Sequence, residues 1–199
     1  MSEHYYTENP RSAHDERQIE VSALGRTLRF TTDAGVFSRD GLDRGTEVLL
    51  NALPELKGRV LDLGCGWGAV GVALAAAWPE LEVVMTDVNR RAAALARRNL
   101  AENGLHARVV EGDGFENVEG KFDAIVTNPP IRAGKAVVYG LFDAARDHLN
   151  PGGALYAVIR KQQGAPSALK YLKGIYAFAD TVGRGSGFHV LCARDPLPR

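Results

Sequence analysis

The chain has 199 residues, 45% hydrophobic and 24% charged, which suits a globular protein with one substantial core and an extension. Its 24 basic and 24 acidic residues cancel, so any phosphate-binding surface has to be local rather than spread over the whole molecule. Cys65 and Cys192 lie far apart without metal-ligand spacing, so neither a disulfide framework nor a metal site is expected, and a reducing, cytoplasmic setting is.

The N-terminal run Met1-Ser2-Glu3-His4-Tyr5-Tyr6 lacks the basic-then-apolar order of a secretory signal. No apolar run approaches membrane-spanning length, so no membrane partner is expected. The polar stretch to about His14 is expected to be loosely ordered. Gln18–Ala23 and Thr27–Thr32 are strand-like runs around Leu24-Gly25-Arg26 and predict a hairpin. From Gly41 to Leu53, apolar residues recur at helical spacing until Pro54.

Strands and helices then alternate. Val60–Leu63, Glu82–Thr86, Ala107–Val110, Phe122–Thr127 and Ala154–Ile159 read as strands. Ala69–Trp78, Asn89–Asn103 and Lys135–Leu149 read as helices, the last ended by Asn150-Pro151-Gly152-Gly153. This rhythm predicts an α/β fold with a mostly parallel sheet and helices on both faces. Ile175–Val182 and Phe188–Ala193 are joined only by Gly183-Arg184-Gly185-Ser186-Gly187, too short for a parallel crossover. They should close the sheet as an antiparallel hairpin. The expected organisation is an N-terminal extension over 1–40 and a domain over 41–199.

Gly64-Cys65-Gly66-Trp67-Gly68-Ala69 satisfies G-x-G-x-x-A, and Asp87 follows at the end of the next strand. Both suit a dinucleotide as well as S-adenosylmethionine. Asp62 separates the two, because a carboxylate aimed into the loop repels a pyrophosphate and attracts an ammonium or sulfonium. Asp87 would accept from ribose hydroxyls, Val88 would lie on the adenine face, and Asp113, beside Gly114, could accept from the adenine amino group. Cys65 and Trp67 read as loop packing. Asn128-Pro129-Pro130 ends a strand where open α/β sheets hold their chemistry.

With these motifs the chain resembles, over about Gly35 to Ala193, the class I S-adenosylmethionine-dependent methyltransferases with a Rossmann-like, seven-stranded sheet. Gly35-Val36-Phe37-Ser38, Asp43-Arg44-Gly45-Thr46 and Asn128-Pro129-Pro130-Ile131-Arg132-Ala133-Gly134-Lys135 narrow the resemblance. They are similar to the small-subunit rRNA guanine-N2 methyltransferase (RsmC-like) family, here in compact single-domain form. The resemblance implies methyl transfer to an exocyclic amine in RNA, most specifically guanine N2 of 16S rRNA, with S-adenosylhomocysteine as product. Adenine in nucleic acid and a protein glutamine amide stay open as targets, as does a non-catalytic cofactor- or RNA-binding module.

The resemblance implies a catalytic group of Asn128, Pro129 and Pro130, with the Asn128 side-chain oxygen and the Pro129 carbonyl accepting from the target amine. Asp62, Gly64, Cys65, Gly66, Asp87, Val88, Asp113, Gly114 and Asn128 would form the cofactor site. Phe37, Ser38, Arg39, Ile131 and Arg132 would meet the substrate. Ile131 stands where adenine-methylating relatives carry an aromatic, which leans the target toward guanine. Phe37 is then either the stacking partner or a core aromatic. Arg39, Arg132, Lys135, Arg160 and Lys161 are candidates for a phosphate-binding rim, whereas Arg90, Arg91, Arg97 and Arg98 read as a solvated helix face.

Overall fold

A computed structural model of the chain describes residues 7–10 and 12–199. Part of the N-terminal stretch expected to be loosely ordered, including Met1–Tyr6, lies outside the described residues. Strands β1 (Arg17–Ala23) and β2 (Arg26–Thr32) form the expected antiparallel hairpin. The seven-stranded sheet contains β3 (Arg59–Leu63), β4 (Glu82–Asp87), β5 (Arg108–Glu111) and β6 (Phe122–Thr127). It is completed by β7 (Leu149–Arg160), β8 (Tyr176–Gly185) and β9 (Phe188–Pro196). The order is β5-β4-β3-β6-β7-β9-β8, parallel except for β9, which runs antiparallel to both neighbours.

Side chains in the inner strands alternate between two buried faces, so these strands are apolar almost throughout. Val60, Val83, Met85, Ala124, Val126 and Val158 pack on one face with α1 (Arg44–Ala52), α2 (Ala69–Ala77), α3 (Arg90–Glu102) and the hairpin. Leu61, Leu63, Val84, Ile125, Leu155 and Ile159 pack on the other with α4 (Lys135–Ala145) and α5 (Ala165–Ile175). Asp62 falls on the first face, a carboxylate at a position where its neighbours bury aliphatic groups.

Three local expectations are corrected. The helix from Lys135 ends at Ala145, a 3-10 turn covers Arg146–His148, and β7 already begins at Leu149. Asn150-Pro151-Gly152-Gly153 is a bulged strand start, in which a Cβ on Gly153 would lie 2.9 Å from both the Asn150 and Phe122 carbonyls. Helix α5 was not foreseen; its buried side is only Ala165, Ala168 and Leu172, and Gly164 starts it without a side-chain cap. It carries the chain from β7 past β9 to the edge strand β8. Thirdly, Arg91 is not solvated. Its side chain is only 14% exposed, and its guanidinium donates to the Ser12 hydroxyl and to the carbonyls of Pro10, Ser12 and Ala34. Arg90 and Arg98 likewise pair with Glu8 and Glu16, so α3 binds the N-terminal segment along its length.

Candidate active site

The carboxyl ends of β3, β4 and β6 open into a cavity of about 130 Å³. Its floor is the loop from β3 to α2. Gly64, Gly66 and Gly68 take φ of 75°, 56° and 93°, a region costly for any residue with a Cβ. A Cβ on Gly64 or Gly66 would meet no protein atom within 4 Å, so it would stand in the cavity itself. The loop is held by Gly64 N and Cys65 N donating to the Thr86 carbonyl, both at 2.9 Å. Burial pushes the Cys65 thiol well up, which leaves it a packing group.

Two carboxylates brace the loop from below. Asp62 Oδ2 accepts from Gly71 N at 2.8 Å in the first turns of α2. Burial raises the Asp62 carboxyl to about 7, the Gly71 bond works against this, and the nearby Asp87 charge adds to it. Asp87 Oδ2 accepts from Gly66 N at 2.7 Å and Oδ1 from Asn89 N at 2.8 Å. Burial raises its pKa too, although both of these bonds favour the charged form. Each Asp87 oxygen keeps a lone pair for a ligand hydroxyl.

The remaining lining includes Val88 after β4, Asp113 and Gly114 after β5, and Val137 and Leu141 of α4. All the residues expected at a cofactor site therefore converge here: Asp62, Gly64, Cys65, Gly66, Asp87, Val88, Asp113, Gly114 and Asn128. Among the described residues, the wall holds Asp43, Asp62, Asp87 and Asp113 but no lysine, arginine or histidine. Such a surface opposes a pyrophosphate and attracts a ligand carrying ammonium and sulfonium charge.

A second cavity, of about 450 Å³, lies beside the first and shares Phe37, Ser38, Asp43, Asn128 and Pro129 with it. Ile131, Arg132, Arg160, Gln163 and Phe188 complete much of its wall. Phe37 is half-buried and faces both cavities. Its loop is fixed by Trp67 Nε1 donating to the Phe37 carbonyl at 2.9 Å and by Asn89 Nδ2 donating to the Gly35 carbonyl at 2.9 Å. Trp67 in turn stands edge-on to Phe30 of the hairpin, and Asn99 of α3 donates to its carbonyl at 2.7 Å. The extension thus builds one wall of the site.

Asn128-Pro129-Pro130 forms the partition between the cavities. Asn128 Nδ2 donates to Asp43 Oδ2 at 3.1 Å and to Thr46 Oγ1 at 3.0 Å. The carboxylate can only accept, so the amide nitrogen must face it and the oxygen must face away. Pro130, at φ −74° and ψ 78°, sits in an inverse γ-turn closed by Ile131 N donating to the Pro129 carbonyl at 2.8 Å. That carbonyl keeps one free lone pair. Sequence reasoning missed the partnership of Asp43 and Thr46 with Asn128; the Asp-Arg-Gly-Thr run was visible, but its place against the strand end was not.

The expected rim is partly redistributed. Arg132 and Arg160 line the second cavity, whereas Arg39 lines neither and pairs with Asp15. Lys135 lies over the Tyr139 ring and lines neither cavity. Lys161 joins the tip of the last hairpin through its N–H to the Gly187 carbonyl at 2.8 Å. Arg184 is paired across that hairpin with His189, whose pKa is lowered by partial burial and then by the Arg184 and Lys161 charges. Among the described residues, Arg132, Arg160, Lys161 and Arg184 form no ion pair, unlike the arginines of α3. No cluster of metal-binding side chains occurs among the described residues, and no described helix is long and apolar enough to cross a membrane.

Strand order, glycine loop and anionic cavity together define a class I S-adenosylmethionine-dependent methyltransferase. The family described as methyltransferase small domain matches residues 27–192, and the chain belongs to it. It is 38% identical to the uncharacterized protein YbxB of Bacillus subtilis, over 98% of this chain and 99% of that one. It is 44% identical to ribosomal RNA small subunit methyltransferase C of Pasteurella multocida over 66% of this chain, but spans only 42% of that protein. Among solved structures it superposes on a T. thermophilus 16S rRNA N2 methyltransferase (RsmC), in complex with AdoMet and guanosine, with TM-score 0.81 and 29% identity. That match covers 94% of this chain and 52% of the other. The chain thus spans about half the length of the rRNA methyltransferases it matches.

Proposed function

We propose that the protein methylates an exocyclic amine of a base in small-subunit rRNA, guanine N2 being the favoured target. The observation that carries this reading is the placement of Asn128: its side-chain oxygen has no hydrogen-bond partner among the described residues and lies on the partition between an anionic cavity and a cation-rimmed one. Bound in the first cavity, S-adenosylmethionine supplies an activated methyl: the amine lone pair takes the methyl carbon, the carbon–sulfur pair stays on sulfur, and the amine then releases one proton. The protein needs no nucleophile of its own. Asp62 would hold the ammonium of the amino-acid end, Asp87 the ribose, and Val88 and Leu141 the face of the base.

An exocyclic amine is a weak nucleophile because its lone pair is delocalised into the ring. Asn128 Oδ1 and the free lone pair of the Pro129 carbonyl accept its two N–H groups and hold the lone pair toward the methyl. Rate then comes from positioning and from exclusion of water. Phe37 and Phe188 are the aromatics of the second cavity, and Ile131 supplies only an aliphatic surface. Arg132, Arg160, Lys161 and Arg184, in no ion pair among the described residues, provide cations for backbone phosphates around an extruded base. The similarity to ribosomal RNA small subunit methyltransferase C supports rRNA over other amine-bearing substrates.

The test is transfer of tritiated methyl from S-adenosylmethionine to 16S rRNA and to small ribosomal subunits, followed by nucleoside analysis. N2-methylguanosine is expected, with loss of transfer in Asn128→Ala and retained cofactor binding. Labelled N6-methyladenosine or methylglutamine as the product would replace the guanine assignment. No label in any RNA form would remove the RNA one.

A further inference from the structure

Asp43 does three things with one atom. Its Oδ2 accepts from Gly45 N at 2.9 Å and Thr46 N at 3.1 Å, capping α1, and from Asn128 Nδ2 at 3.1 Å. The cap alone could be supplied by Ser, Thr or Asn. The bond to Asn128 crosses 85 residues of sequence to reach the partition between the two cavities. The N-terminus of α1 is shaped around it: a Cβ on Gly45 would lie 2.9 Å from both Asp43 Oδ2 and Phe188 Cε1. Thr46 Oγ1 takes the other amide proton at 3.0 Å. Both Nδ2 protons therefore have acceptors, and the oxygen on the opposite side of the same planar group has none among the described residues.

We infer that Asp43 and Thr46 are positioning residues for methyl transfer, both by fixing which end of the Asn128 amide meets the amine, and Asp43 additionally through its charge. This rests on the amine-acceptor role proposed for Asn128. The amide is one conjugated N–C–O unit. A carboxylate accepting at the nitrogen end favours the charge-separated form, with more negative charge on oxygen and a stronger acceptor there. The target amine is neutral at first and becomes positive as its bond to the methyl carbon forms. The strengthened oxygen therefore stabilises the transition state more than the bound substrate, which appears in kcat rather than KM. Thr46 is neutral and contributes orientation alone.

Two substitutions separate charge from geometry. In Asp43→Asn the amide oxygen can take the place of Oδ2 and keep all three bonds, so only the charge is removed. With 16S rRNA as substrate and S-adenosylmethionine saturating, kcat should fall about tenfold while the KM for RNA stays within about twofold. In Asp43→Ser combined with Thr46→Val the α1 cap survives, but neither side chain can hold the amide. Hydrogen exchange of the Asn128 side-chain NH2, followed by 15N NMR without RNA, should then run about tenfold faster or more, with backbone amide exchange elsewhere in the sheet unchanged. Full kcat in Asp43→Asn would overturn the charge role, and unchanged amide exchange in the double variant would overturn the orienting role. If the unsubstituted protein methylates no RNA, the RNA assignment fails by itself, and the exchange measurement still decides whether Asp43 and Thr46 orient the amide.

Discussion

Asp62 is held in the site at a cost to the free protein, and Asp62→Asn exposes that cost. Its carboxyl sits at about 7 in the folded chain against a reference of 3.8. Below both values the folded and unfolded states are equally protonated and the group contributes nothing. As pH rises from 3.8 toward 7, only the unfolded chain ionises, so folded stability falls by about 1.4 kcal/mol per pH unit. Above about 7 both states are ionised and the loss levels off, on the order of 4 kcal/mol in all. Asn keeps an acceptor for Gly71 N but does not ionise. Its buried NH2 adds a cost that does not change with pH.

The informative quantity is therefore the change with pH in the difference in melting temperature between Asp62→Asn and the unsubstituted protein. From pH 5.5 to 8 that difference should move in favour of Asn by about 2 kcal/mol, or roughly 4–8 °C for a chain of this size. S-adenosylmethionine should do the opposite. Its positive charge favours the ionised carboxylate, so the stabilisation it gives the unsubstituted protein grows over the same interval, while Asp62→Asn binds weakly throughout. Differential scanning fluorimetry in matched buffers, with and without cofactor, measures both. A difference that stays constant to within about a degree from pH 5.5 to 8 would refute the assignment of a buried, desolvated carboxylate.

Two further outcomes are expected. Gly71→Ala places a Cβ 2.1 Å from Met85 Sδ and 3.2 Å from Asp62 Oδ2, so the buried Met85 side chain has to move aside or α2 has to lift from β4; the expected cost is about 1–3 kcal/mol in thermal or urea unfolding, with weaker cofactor binding. Replacing Arg160, Lys161 or Arg184 by Ala should weaken RNA binding and lower the slope of log affinity against log salt by about 0.7 for each phosphate no longer neutralised. Cofactor affinity, read by calorimetry, should not change in these variants.

The sheet was legible because its strands bury both faces and its glycine loop and strand-end acids follow a fixed spacing. Local pattern failed where tertiary packing decided the outcome. Helix α5 needs only three buried residues because it lies over the outer part of the sheet, and Pro166 and Gly174 hide its periodicity. Asn150-Pro151-Gly152-Gly153 has a turn composition, yet strand pairing with β6 draws it into the sheet as a bulge. Arg91 looks like any surface arginine until the segment near Ser12 folds over it. In the site, the anionic set could be read one residue at a time. The pairing of Asp43 with Asn128 could not, since nothing in the sequence says that the start of α1 meets the end of β6.

The partition between the cavities has a consequence for what it admits. Pro129 and Pro130 have no backbone N–H, Ile131 N is spent on the Pro129 carbonyl, and the Asn128 amide protons are spent on Asp43 and Thr46. At the proposed point of transfer these groups present only lone pairs. If methyl transfer takes place here as proposed, the segment is a polarity filter: a keto oxygen or a bare ring nitrogen would meet repulsion there, and an amino group two acceptors. Inosine, which lacks the 2-amino group of guanosine, and uridine, which is keto where cytidine is amino, would be turned away before any question of reactivity arises.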